Sequence, residues 1–171
     1  MKTLVIGLGN PVLTDDGVGI YAARAVRKAL PRGANVDVIE LSVGGLALME
    51  AMSGYDRVIL LDALWTPADQ AGQVVQFDAG HLPVTLNTAS THDADLPTAL
   101  RVGRRLGIPL PCNEDIQIVA VTAHEVLTFG EKPTPAVAAA IPEAATRVLA
   151  LLGYAEAVTP EHTGGNTDDL S

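Results

Sequence analysis

A chain of 171 residues that is 48% hydrophobic and 18% charged can bury one core of ordinary size, which excludes disordered and fibrous classes. Twenty acids against 11 lysines and arginines give a net charge of −9, and aromatic residues make up only 4%, so phosphate neutralisation and base stacking are poorly served and nucleic acid is not an expected partner. No apolar run reaches the roughly 20 residues that a membrane helix needs, and the lone Cys112 offers neither an internal disulfide nor a thiolate cluster, so any metal must be held mainly by oxygen and nitrogen.

In chain order, residues 3–6 form a short β-branched run closed by Gly7, the pattern of a strand covered on both faces. Helical spacing starts at Thr14, with Val18, Tyr21, Ala22, Ala25, Ala29 and Leu30 on one stripe. Thr14 is the expected cap, Asp15 and Asp16 complement the helix N-terminus, and Pro31 and Gly33 end the run. A second strand is expected at 36–41 and a short apolar helix at 45–52 after the Gly44–Gly45 turn. A mostly apolar central strand follows at 57–64, then an edge strand at 74–77. The spacing predicts a helix over 97–106 and a further strand at 116–121. The last helix keeps one phase through Val137, Ile141, Ala145, Val148 and Leu152, but Pro142 interrupts it, so a kink or two abutting helices are expected. Alternating strands and helices predict a single three-layer α/β domain over 1–154, with a mostly parallel sheet between helices on both faces. Residues 155–171 carry turn formers and acids with little to bury and are expected to form a flexible acidic tail. The N-terminus has no signal-peptide layout, so a cytoplasmic protein away from membranes is expected, with a monomer favoured.

Several common machines are absent: there is no GxxxxGK[ST] phosphate loop, no HExxH helix and no GxSxG elbow. The opening GLGNPV meets only part of a dinucleotide fingerprint, because Val12 stands where a third glycine is needed, and a tight strand-to-helix turn explains Gly7 and Gly9 equally well. No nucleotide cofactor is expected. Asp16 follows that turn, although a helix-end charge would be served by either Asp15 or Asp16. Asp62 ends an apolar strand, where a carboxylate must be solvated, hydrogen-bonded or paired with a cation. His92 precedes the helix near Pro97. Two carboxylates and one imidazole on separate loops can form an open site for a divalent transition metal. His124 is a further candidate, with a hydrogen-bonded loop role as its plainer reading, whereas His81 and His162 lack a comparable setting. Cys112 reads as a connector residue, Arg104 and Arg105 as a solvated helix face, and Trp65 as packing, a shield for the crevice or an anchor for a partner peptide.

The segments VIGLGNPVLTDDGVGIYAAR (5–24), ELSVGGLALME (40–50), RVILLDAL (57–64) and STHDADLPTAL (90–100) together resemble the nickel-iron hydrogenase maturation endopeptidases. The resemblance implies an enzyme that removes a C-terminal extension from the hydrogenase large-subunit precursor after nickel insertion. It also implies metal-contacting positions at Asp16, Asp62 and His92, the first being Glu in well-known members. Nickel, presented by the precursor, is the metal so implied. Gly9, Asn10, Gly44 and Gly45 are the implied substrate-binding positions, and no catalytic residue is assigned. After the last strand, AVTAHEV (120–126) departs from the family's common Gly-x-Glu-Pro pattern. Two other readings remain open on sequence alone. Peptidyl-tRNA hydrolases share a GLGNP-like turn, but VLTDDGVG lacks their histidine, and a noncatalytic nucleotide-binding module is the third possibility.

Overall fold

A computed structural model describes residues 1–81 and 96–155. Five strands, β1 (Thr3–Leu8), β2 (Val36–Leu41), β3 (Arg57–Trp65), β4 (Val74–Asp78) and β5 (Ile116–Ala123), form one sheet in the order β2-β1-β3-β5-β4. All neighbours run parallel except β4, which lies antiparallel on β5 at the border. Four α-helices accompany them: α1 (Val18–Ala29), α2 (Gly45–Met52), α3 (Leu96–Arg105) and α4 (Pro135–Leu151).

Side-chain alternation along the strands splits the core in two. Val5, Ile59, Leu61, Val119 and Val121 face one side, where α1 and α4 pack together, and Leu4, Ile6, Leu8, Leu60 and Ile118 face the other, covered by α2 and α3. Both faces are therefore apolar, which is why β1, β3 and β5 read as nearly continuous hydrophobic runs. The chain steps from β1 outward to β2 and then back across to β3, so its winding reverses between β1 and β3. In open α/β sheets that reversal leaves a crevice at the strands' carboxyl ends. Among the described residues, no helix is long and apolar enough to cross a membrane.

Two local expectations are corrected and a third is extended. The first helix begins at Val18, with Gly17 as its N-cap and no side-chain cap, because Thr14 donates instead to the Thr128 carbonyl at 2.7 Å. Helix α4 runs unbroken across Pro142. Pro142 lies on the exposed side, where water can satisfy the carbonyl that its missing N–H leaves open, and Thr146 Oγ1 bonds back to the Pro142 carbonyl at 2.9 Å. Arg104 and Arg105 lie on the exposed face expected of them, and Arg104 also donates to the Pro111 carbonyl at 2.9 Å and to Asn113 Oδ1 at 2.7 Å, fastening the segment between α3 and β5. The expected tail lies almost wholly outside the described residues.

Border strand β2 is tied to α1 by Glu40, which accepts from Arg24 at 2.9 Å and from Arg27 at 3.0 Å. Chiefly the hydrogen bond from Arg24 holds the Glu40 carboxyl below its usual range. A lowered folded-state value means that the link stabilises the fold above the unfolded carboxylate range and loses that effect as pH falls through the folded value. Because the arginines are half exposed, Glu40→Gln is expected to cost only about 0.5–1 kcal/mol at neutral pH. Urea melts of both proteins over a pH series should converge at acid pH; a pH-independent difference would refute the ionic origin.

Candidate functional site

The loop from β1 to α1 is built around Gly9, whose φ of +129° suits glycine alone. A Cβ there would collide with the Asp16 carbonyl oxygen, so the loop folds back tightly on Asp16. Gly9 N–H donates to the Leu41 carbonyl at 3.2 Å, tying the end of β1 to the end of β2. Asn10 N–H donates to Asp16 Oδ2 at 2.7 Å, and Asn10 Oδ1 accepts the Val12 N–H at 3.2 Å. Gly9 and Asn10 thus shape the loop and hold the Asp16 carboxylate, which is only 5% exposed.

Gly19 brings the first turn of α1 over the sheet. A Cβ at this position would strike the carbonyl oxygens of both Leu8 and Leu61, so the helix lies directly on the carboxyl end of β1 and on the middle of β3, which runs on to Trp65. Asp62 is the next residue after Leu61. Strand alternation turns it towards the α2 and α3 side, where it is 1% exposed and its Oδ1 accepts the Ala63 N–H at 2.7 Å. Asp16 and Asp62 are therefore brought to one end of the sheet, at the reversal between β1 and β3. Gly44 and Gly45 start α2 at the neighbouring carboxyl end of β2. His92 lies outside the described residues. Among the described residues, no three His, Cys, Asp or Glu side chains are grouped to hold a metal ion.

The other candidates separate clearly. His124, just beyond β5, has Nδ1 3.0 Å from the Thr66 carbonyl, so that nitrogen is the donor, and its ring leans against Trp65 with centroids 6.2 Å apart. Trp65 remains 43% exposed at the same end of the sheet. His81 pairs with Asp78 at 2.8 Å at the end of antiparallel β4, opposite the crevice, and its hydrogen bond is the main reason the Asp78 carboxyl is held below its usual range. Cys112 is exposed and precedes the short turn at 113–115.

Asp15, which sequence reasoning treated as interchangeable with Asp16, is fully buried and points elsewhere. Its Oδ1 accepts the Thr134 N–H at 2.7 Å, and its Oδ2 accepts the Glu125 N–H and the Thr134 hydroxyl, both at 3.2 Å.

Fold and site define a three-layer α/β protein with buried carboxylates at its topological reversal. Residues 11–151 match the family model HycI, hydrogenase maturation protease, and the chain belongs to that family, which makes it a peptidase. It is 27% identical over 164 residues to the hydrogenase expression/formation protein HupD of Rhizobium leguminosarum bv. viciae, covering 94% of this chain and 80% of that protein. It is 28% identical over 105 residues to the hydrogenase 2 maturation protease of Escherichia coli K12, covering 59% and 64% respectively. The structure of the E. coli hydrogenase maturating endopeptidase HybD superposes with a TM-score of 0.74 at 27% identity, over 90% of this chain and 93% of that one. Among the three readings left open by sequence, family membership selects the protease.

Proposed function

We propose that this protein removes the C-terminal extension of a nickel-iron hydrogenase large-subunit precursor once nickel is in place, and that Asp16, Asp62 and His92 read the metal on that substrate. The observation that carries this reading is the pair of buried carboxylates at the junction of β1 and β3 in a hydrogenase maturation protease. Two carboxylates and one imidazole form a hard-to-borderline donor set suited to a divalent first-row ion, and three protein donors leave positions for ligands the substrate already supplies. Gly9 and Asn10, with Gly44 and Gly45 at the head of α2, border the same end of the sheet and are the proposed contacts for the incoming segment.

Such a site works as a checkpoint. Metal arriving with the precursor brings the scissile segment to the crevice, whereas an empty precursor lacks the bridge. Asp16 is one methylene shorter than the Glu found in well-known members, and the Asn10 N–H fixes where its carboxylate sits. The decisive experiment incubates the purified protein with nickel-loaded and nickel-free precursor. Cleavage of the loaded form alone is expected, with His92→Ala weakening the discrimination. Equal cleavage of both forms, with chelator-resistant nickel retained by the protease itself, would instead identify a self-contained metallopeptidase.

A further inference from the structure

We propose that Asp15 is a positioning residue for this peptidase, fixing the neighbouring Asp16 by clasping the β1–α1 loop to the β5–α4 loop and to the start of α4. The inference rests on the role of Asp16 given above.

A fully buried carboxylate is costly unless charge-assisted hydrogen bonds replace its water. Asp15 receives three such bonds, from Thr134 N–H, Thr134 Oγ1 and Glu125 N–H. Thr134 is the N-cap of α4 yet makes no side-chain cap of its own; its hydroxyl is spent on Asp15, and the negative charge stands at the favourable end of the helix. Around this centre the two loops are sewn together by backbone. Asp15 N–H donates to the Glu125 carbonyl at 3.2 Å, Thr14 N–H to the Thr128 carbonyl at 2.9 Å, and Gly130 N–H to the Val12 carbonyl at 3.1 Å. Leu13 and Phe129 form the antiparallel bridge between them.

Asp16 is one peptide unit away and faces the other side of the turn, where Asn10 N–H holds its Oδ2. The two neighbours thus divide the work. One carboxylate locks the loop from behind, and the other is presented at the end of the sheet. Without the Asp15 carboxylate the loop keeps its backbone bonds but loses the three that hold its buried turn to Glu125 and Thr134, and an error of about 1 Å at a reacting group is enough to lower turnover on the order of a hundredfold.

The test uses the full chain with nickel-loaded precursor and measures kcat and KM separately, with thermal melts to establish folding. Asp15→Asn keeps one acceptor oxygen but in either orientation sets its NH2 against a backbone N–H, that of Thr134 or that of Glu125. Folded Asp15→Asn is expected to lower kcat by about 10- to 100-fold and to raise KM for the loaded precursor, because Asp16 and its loop also take part in docking the metal-bearing segment. Nickel alone, titrated into the folded variant by calorimetry, should bind more weakly than to the wild type. If Asp15→Asn does not fold, Thr134→Val removes one bond of the clasp and should lower kcat in the same direction by less. Wild-type kcat in a folded Asp15→Asn protein, or in Thr134→Val where the first does not fold, would overturn the proposal. Asp16→Asn separates the two readings: if it processes loaded precursor normally, the role of Asp16 itself fails, and if it is inactive while folded Asp15→Asn is normal, only the positioning role fails.

Discussion

Asp62→Asn is expected to leave the protein folded and to reduce processing of nickel-loaded precursor on the order of a hundredfold or more, the scale on which losing a metal-site partner is felt. The amide has nearly the volume of the carboxylate and can keep the bond that Asp62 Oδ1 accepts from Ala63 N–H, so this buried stretch of β3 should hold its shape. What disappears is the anionic donor. A thermal melt close to the wild type together with a failed processing assay is the expected pair of results. A folded Asp62→Asn protein with normal processing would remove Asp62 from the site.

Gly19→Ala should act through the fold. Its new methyl group would meet the carbonyl oxygens of Leu8 and Leu61, both backbone atoms within paired strands that cannot turn aside as a side chain can. Helix α1 would have to lift from the sheet, drawing the loop that carries Asp16 away from the end of β3. Overpacking of this kind is expected to cost about 3 kcal/mol, read as a lower urea midpoint with an unchanged slope. An unaltered midpoint would show that α1 can shift without loss, and the close approach at Gly19 would then have no energetic weight.

Much of this architecture was legible because both faces of the sheet are covered. Apolar runs at β1, β3 and β5 stand out from the sequence, and the β2 and α2 boundaries agree with the expected ones. Asp62 was conspicuous for the same reason, as a charge in an otherwise apolar run, although β3 continues past it to Trp65 instead of ending there. Errors arose where long-range partners competed with local preferences. Thr14 and Asp15 look like helix-start residues, but both are claimed by the segment 125–134, more than 100 positions away, and the helix starts four residues later than Thr14. Pro142 suggested two abutting helices as one of its outcomes because its cost is local, whereas the burial of Val137, Ala140, Ala144, Ala145, Val148 and Leu149 against the sheet and α1 favours one continuous helix. No periodicity in the sequence reports those competing contacts.

The Arg27 side chain does more than meet Glu40. Its second nitrogen donates to the Val38 carbonyl at 3.0 Å, on the strand that borders the sheet. A border strand with open backbone groups is a template on which another extended chain can add itself. Occupying that carbonyl with a guanidinium, itself anchored by a carboxylate on the same strand, blunts the template with a fixed positive charge. The hazard is pertinent to a peptidase, which works among flexible chain ends. Among the described residues Arg27 fills this role at the Val38 carbonyl, and its carboxylate anchor, Glu40, sits on the strand it guards.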